Sequence, residues 1–540
     1  MESKSYVVAI DLGSSKVRIV VGEVCPEGVR VAALAERQCQ GVKAGLVENS
    51  ELVAQAVSEA KQEIRERIGV LVTEAYVGIS GRFVRCASHK DYVFTNDKLS
   101  GVSQADVDHL FDRMRNVQAP DSETILERIA QNYIIDNNSE VSNPVGSFSS
   151  KLSATFNFIL CEKTPMQRLD LALRRCGITI KGYFSNAQAV VESVLNSEDR
   201  EEGAVVVNIG CDLTDIAIVH RNVLRYITTI PIAGSAINAD IRTQSIADKY
   251  VEPLKCNYGS AVADMTPNTN IEIPSRTTRD KRRLPRHNLA VIIEARVRDI
   301  IDFVQQELQG AGYAKKINYL VLTGGTSMLK NIEQLFADVT GMEVRCGEPI
   351  EGIHPDSFDA VNYVDYATVM GLLLKGAKLG ACATPIDEEW VRRNEAAQAA
   401  LKAEQEREEQ ERKAAQERQL AEQARQKAEQ IRRAEEELRR LRGEGVAVQT
   451  PKASEPPKVE EAVAVQPIQP EQPKVIQTPP TPQTPQPPKV EEPKGEEEQK
   501  QETNRAVEPE NPRRRGFRSW LKKIGDELTK PVEDDDDTII

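Results

Sequence analysis

The sequence predicts an α/β protein of two related lobes that face one cleft. Three observations carry this reading. First, Tyr6-Val7-Val8-Ala9-Ile10 is a β-rich run that meets the turn-forming cluster Asp11-Leu12-Gly13-Ser14-Ser15, and Val17 to Val21 resumes as a strand. Second, Gly203 to Gly210 repeats that pattern about 200 residues further on and returns through Thr214 to Val219. Third, Tyr319 to Thr323 is a strand that ends in Gly324-Gly325, with a helix expected over Leu329 to Phe336. A buried strand feeding a Gly-Gly turn and a helix is a frequent nucleotide-site geometry. Glycine lets the backbone approach a ligand closely, and a helix N-terminus favours anions.

The remaining elements follow from length, periodicity and composition. The chain has 540 residues, too many for one core, so at least two folded units are expected. Glu51 to Ile68 places Leu52, Val53, Val57, Ile64 and Ile68 near helical spacing. Composition changes at Asp387, becoming Glu/Arg/Ala/Gln-rich up to about Arg442. Large apolar residues there are sparse (Leu401, Leu420, Ile431, Leu438, Leu441), with no sustained heptad pattern. Both a single solvated helix, roughly 80 Å long at 1.5 Å per residue, and a weak coiled coil fit that segment. Residues 443–512 hold 15 of the 28 prolines and read as a disordered, partly extended linker.

The end of the chain carries a second signal. Phe517, Trp520, Leu521, Ile524 and Leu528 fall on one helical face, and Arg514, Arg515, Arg518, Lys522 and Lys523 crowd the rest. A basic amphipathic helix with Trp and Phe suits an anionic membrane surface; a partner-binding helix is the alternative. The acidic run Asp534 to Asp537 follows it.

Composition also excludes some classes. The formal net charge of −13 argues against general nucleic-acid binding. The nine cysteines are scattered, form no C-x-x-C, and read as buried free thiols in a reducing compartment. No segment approaches the roughly 20 apolar residues of a spanning helix. Asp11 and Lys16 interrupt the N-terminal apolar stretch, so no signal peptide is expected, and the chain should be soluble and cytoplasmic unless something holds it at a membrane.

The two matching loops and the later Gly-Gly turn, in this order, resemble the phosphate 1, phosphate 2 and adenosine segments of the actin superfamily. Within it the resemblance narrows to the FtsA family over about residues 5–380. Asp11 to Val17 followed by Val21-Gly22-Glu23 looks like the family's phosphate 1 segment. Gln131-Asn132-Tyr133-Ile134-Ile135-Asp136 and Asn143-Pro144-Val145-Gly146 look like the insert that FtsA carries where actin has a different subdomain. Leu322-Thr323-Gly324-Gly325, Val344 to Pro349 and Tyr366 to Leu372 match the last part of the core.

The resemblance implies an actin-like ATPase fold with an FtsA-type insert. The first lobe would take residues 1–83, 164–202 and 361–386, and the insert 84–163. The second lobe would take 203–235 and 319–360, with a small subdomain at 236–318. A charged helix (387–442), the linker (443–512), the amphipathic helix (513–530) and an acidic tail (531–540) would complete the chain.

It further implies ATP and Mg2+ in the cleft. Asp11, Gly13, Ser14, Ser15 and Lys16 would line the phosphates, with Asp11 on the magnesium side, and Gly210 and Asp212 would face them. Glu252 and Lys255 resemble the pair that contacts ribose and adenine, and Gly324, Gly325 and Met328 would pack beside the adenosine. The phosphate 2 loop departs from the family: Asn208 stands where Asp is common, and Cys211-Asp212-Leu213 replaces a glycine-rich run. An amide cannot serve as a carboxylate base, so hydrolysis is expected to be weak or absent. The implied function is a cell-division protein that polymerises with itself and anchors the C-terminal peptide of FtsZ to the membrane at the division ring, alongside other division proteins. A pilus-assembly actin homologue and a sugar or metabolite kinase of the same fold are the alternatives.

Overall fold

The computed structural model describes residues 5–95, 101–136, 139–274, 281–357, 361 and 363–443. Strand β1 (Tyr6–Leu12) pairs antiparallel with β2 (Lys16–Cys25), and Val7 to Ile10 are buried without alternation. A strand covered on both faces has no use for alternating polar residues, which is why this run is continuously apolar. β3 (Gly28–Gln38) completes a meander. A short hairpin of β4 (Val42–Lys43) and β5 (Leu46–Val47) leads into α1 (Ser50–Ile68). Asn49 caps α1 by accepting from the Glu51 and Leu52 amides, and Gly69 closes it at φ 69°. Val53, Val57 and Ile64 face the core together with Ala56 and Ala60, whereas Leu52 is exposed. β6 (Glu74–Ile79) then runs parallel to β1.

An inserted sheet follows, with β7 (Val84–Phe94), α2 (Gln104–Arg115), β8 (Glu123–Ile135), β9 (Ser139–Val141) and β10 (Lys151–Glu162). Its order is β7-β10-β8-β9, and Leu110 and Met114 of α2 join Leu152, Phe156 and Leu160 in a core of its own. The chain returns through α3 (Lys163–Arg175), β11 (Thr179–Ser185), α4 (Asn186–Val194) and α5 (Ser197–Glu202). β11 adds parallel to β6, giving the first sheet the order β11-β6-β1-β2-β3.

The second lobe repeats the plan. β12 (Ala204–Ile209), β13 (Thr214–His220) and β14 (Val223–Ile230) form its meander. Then come α6 (Gly234–Arg242), α7 (Asp248–Tyr258), the hairpin β15 (Asn270–Pro274) and β16 (Lys281–Pro285), and α8 (Arg286–Gly310). β17 (Tyr319–Thr323), α9 (Ile332–Thr340) and β18 (Glu343–Cys346) finish the lobe. The sheet order β14-β13-β12-β17-β18 matches that of the first sheet, strand for strand. Two copies of one layered α/β unit therefore make the core, as the repeated hairpins predict, and this is the actin-like arrangement.

One expected element moves. The Gly-Gly turn feeds a 3-10 turn at Gly325–Met328, and α9 starts only at Ile332 instead of Leu329. The reason is tertiary: Lys330 is held extended in a bridge to Ser260, and its carbonyl accepts from the Ala261 amide at 2.8 Å. No α-helix N-terminus therefore sits directly at the glycines.

α10 (Ala367–Leu379) crosses back onto the first lobe, against α4 and β1. α11 (Glu388–Gly443) then runs as one helix of 56 residues, roughly 84 Å at 1.5 Å per residue. Its root is pinned: Arg65 pairs with Asp387 at 2.8 Å, and the Trp390 indole donates to the Glu66 carbonyl at 2.8 Å while its ring covers Gly69. Leu401, Leu420, Ile431 and Leu438 are exposed, as on a single solvated helix. All nine cysteines are free; Cys39, Cys161 and Cys382 are buried, but Cys256 is exposed, against the expectation that all are buried. Among the described residues no helix is long and apolar enough to cross a membrane. The linker and the amphipathic segment lie outside the described residues.

Candidate functional site

The two repeated hairpins end in the same turn. The Gly13 amide donates to the Lys16 carbonyl at 3.0 Å, and the Gly210 amide donates to the Leu213 carbonyl at 2.9 Å. A Cβ at either glycine would sit 3.1 Å from that carbonyl, so both turns favour glycine. Ser14 and Ser15 thus correspond to Cys211 and Asp212.

Behind the first turn, Asp11 is buried opposite Arg18 on β2, and the Asn186 amide reaches it at 3.4 Å. Burial pushes the Asp11 carboxyl up, with Arg18 and Asn186 pulling the other way. Arg18 donates to Glu36 at 2.8 Å and to the Asp365 carbonyl at 2.6 Å, and lies 4.8 Å from the centre of the Tyr366 ring. Lys16 pairs with Glu36 at 2.6 Å.

Behind the second turn, Asn208 donates to Thr368 at 3.1 Å and lies 3.4 Å from Asp215. Asp215 is buried and accepts from Ser80, a first-lobe residue, at 2.5 Å and from Thr229 at 2.7 Å. Burial pushes its carboxyl up to about 6, and the Asp11 charge adds to the rise against the pull of those hydroxyls. Asp212 accepts from the Ala44 amide of the first lobe at 3.0 Å.

The third strand closes the group. Gly324 stands at φ 88°, and a Cβ there would meet Asn208 Oδ1 at 2.5 Å and the Ile209 carbonyl oxygen at 2.6 Å. Only glycine fits both the backbone and the space. Gly325 is open, with Asp365 Cβ nearest at 3.9 Å, and the Met328 side chain is exposed. Thr326 donates to the Gly210 carbonyl at 2.7 Å. Lys255 is buried, pairs with Glu252 at 2.8 Å, and its ammonium reaches the Gly234 carbonyl at 3.4 Å. Glu252 also accepts from Asn238 at 2.5 Å. Gly210, Glu252 and Lys255 are therefore linked around Gly234 and Thr326, Gly324 packs on Asn208 and Ile209, and Asp11 and Asp215 are buried behind the two turns, near enough that the charge of Asp11 raises Asp215.

Sequence reasoning missed Arg18, Ser80, Asn186, Gly234, Ser235, Thr326, Asp365 and Thr368. Gly234-Ser235 had a signal: a strand, a small-residue turn and a helix, the same grammar that marks Gly324-Gly325. An Arg inside a buried strand has no local signature.

The residues fit a phosphate-bound dication better than a protein-held one. Asp11 and Asp215 are two buried carboxylates, each pushed up by burial, and a positive charge between them would relieve both. Among the described residues no group of three or more His, Cys, Asp or Glu is placed to hold a metal. Mg2+ commonly takes one or two carboxylates and completes its shell with water and phosphate oxygens.

Asp215 gives a pH prediction. Its folded pKa lies above its unfolded value, so its contribution to stability is full at low pH and is lost as pH rises through about 6. Asp215→Asn, which keeps an acceptor for Ser80, should match wild type near pH 4. With magnesium chelated and nucleotide removed, it should be more stable by on the order of 2 kcal/mol near pH 7.5. Urea unfolding of both proteins across that range checks this; a constant difference would refute it.

A separate cleft of about 430 Å3 lies between the inserted sheet and the second lobe, lined by Asn132, Asn157, Arg225 and Tyr313. Buried Arg225 there donates to Asn132 at 2.9 Å and to the His220 carbonyl at 3.0 Å. It shares no residue with the glycine turns.

The family model described as "Cell division protein FtsA" matches residues 205–371, and that described as "SHS2 domain inserted in FTSA" matches residues 81–160. Cell division protein FtsA of Pseudomonas aeruginosa is 32% identical over 385 residues, covering 70% of this chain and 90% of that protein. Cell division protein FtsA of Escherichia coli K12 is 28% identical over 385 residues, covering 69% and 90%. A solved chain of a PilM-PilN type IV pilus biogenesis complex is 14% identical with a TM-score of 0.48, covering 68% of this chain and 98% of that one.

Proposed function

The chain belongs to the FtsA family of cell-division proteins, and we propose that it binds ATP with Mg2+ between its lobes, assembles with copies of itself, and holds FtsZ at the cytoplasmic face of the membrane. The observation that carries the nucleotide part is the pair of matching glycine turns, Gly13 to Lys16 and Gly210 to Leu213, on equivalent hairpins of two equivalent sheets. ATP phosphates lie between the turns. Asp11 and Asp215 would sit on the magnesium side, and the adenosine would lie by Gly324, Gly325 and Met328, with Glu252 and Lys255 at the ribose and adenine. Bound ATP would supply the phosphate oxygens that complete the magnesium shell.

Turnover is slow in this reading. Asn208 carries an amide that donates to Thr368 and cannot take a proton from water. Asp215 is spoken for by Ser80 and Thr229. The insert supplies a contact between neighbouring copies. Its sheet has its own core, so deleting residues 84–163 should leave nucleotide binding and remove polymers on lipid layers, as seen by electron microscopy.

Liposome sedimentation with the full chain and FtsZ tests the adaptor and membrane roles. FtsZ should pellet with anionic liposomes only when the chain is present. FtsZ remaining in the supernatant while the chain pellets would remove the adaptor role and leave the membrane role standing.

A further inference from the structure

Asp212 carries a negative charge at the turn where a phosphate site would be expected to present donors. Its equivalent in the first hairpin is Ser15, a neutral hydroxyl. The Asp212 carboxylate accepts from the Ala44 amide at 3.0 Å, with the Cys211 thiol at 3.7 Å, and the nearby hydroxyls of Ser235 and Ser14 stabilise its charge. Ser14 and Ala44 belong to the opposite lobe, and Ser235 lies in the first turn of α6. Burial alone would push this carboxyl up, but the Ala44 amide, the Ser235 and Ser14 hydroxyls and the Cys211 thiol outweigh it and hold it below the usual carboxylate range.

The Ala44 donor is delivered by a shaped piece of backbone. Ala44 stands at φ 47°, a left-handed conformation that disfavours residues other than glycine. Gly45 follows at φ 78°, and a Cβ there would fall 1.8 Å from the Ser80 carbonyl oxygen and 3.2 Å from Leu213 Cδ1. The tip of the β4–β5 hairpin is thus wedged against the second turn, and the wedge aims an N–H at an anion. Amide and hydroxyl donors converging on one charge from both walls are what a terminal phosphate oxygen would find.

We propose that Asp212 is an internal anion standing where a nucleotide's terminal phosphate would bind, so that the joined lobes favour a nucleoside diphosphate and a triphosphate enters only by displacing Asp212 from Ser14, Ser235 and Ala44. This rests on the nucleotide reading above. Carboxylate and phosphate compete for the same donors and repel each other at short range. Asp212 itself ties the lobes through the Ala44 amide, and triphosphate binding becomes the event that loosens this clasp.

The test measures ADP and ATP affinities by calorimetry on the full chain with magnesium, for wild type, Asp212→Asn and Asp212→Gly. Wild type should prefer ADP. Both substitutions should shift the ATP-to-ADP affinity ratio toward ATP by about tenfold or more, the effect of removing one like charge at a partly screened site. An unchanged ratio in both variants, with ADP still bound, overturns this proposal alone. A fall in ATP affinity in both would make Asp212 a magnesium ligand and overturn it as well. Failure of every protein to bind either nucleotide overturns the nucleotide reading and this inference with it.

Discussion

Gly371→Ala should destabilise the protein by about 3 kcal/mol or more, the upper range for overpacking a close contact. Gly371 lies on α10 where that helix crosses α4, and a Cβ there would fall 1.9 Å from the Ala189 carbonyl oxygen and 2.4 Å from its carbon. Both atoms are backbone, so no side chain can swing away; the helices must separate. Separation opens space around buried Val190, Val191, Met370 and Leu374, which loses dispersion contacts as well. Gly310→Ala is the matched control. Gly310 ends α8 with nothing within 4 Å of its Cβ position, so the change should be neutral or stabilising by up to about 1 kcal/mol. Urea unfolding of the full chain, read as midpoint and slope, separates the two. A Gly371→Ala protein unfolding at the wild-type midpoint would show that the helices do not approach this closely.

Trp520→Glu should abolish most binding of the chain to anionic liposomes, by tenfold to a hundredfold. The segment lies outside the described residues, and its sequence carries the expectation. Phe517, Trp520, Leu521, Ile524 and Leu528 share one face at helical spacing. Burying a side chain of this size supplies roughly 1.5–3 kcal/mol, less where burial is partial, and the substitution also puts a charge in the middle of that face. Arg514, Arg515, Arg518, Lys522 and Lys523 add attraction of about 1 kcal/mol for each charge near the surface. Salt should weaken wild-type binding only in part, because the apolar contribution survives screening. Trp520→Phe should recover most of the binding, since it keeps an aromatic anchor. Sedimentation of the Trp520→Glu protein at the wild-type level would mean that the helix recognises a partner protein and not the membrane.

Much of the fold was legible because its signals are local. The hairpins at Tyr6 to Val21 and Ala204 to Val219 announce themselves by apolar runs broken by small turn residues, and α1 and α11 by period and composition. Their repetition along the chain implies two lobes. The turns at Gly13, Gly210 and Gly324 were legible for the same reason: the tight turns favour glycine at the first two, and at Gly324 the backbone and the crowding by Asn208 and Ile209 leave room only for glycine.

What the sequence could not determine is which distant residues meet. Nothing near Arg18 in the chain says that Asp365 will close over it, and nothing near Ser80 says that it will donate to Asp215. The start of α9 shifted because Lys330 pairs with Ser260, a partner 70 residues away. Asp212 reads locally as an ordinary loop aspartate; only the folded chain sets the Ala44 amide and the Ser14 hydroxyl of the other lobe against it. Period and punctuation are properties of neighbouring residues and can be read along the chain. The charge, proton affinity and ligand preference of a cleft depend on burial and on donors brought from remote segments, and these exist only after the lobes have packed.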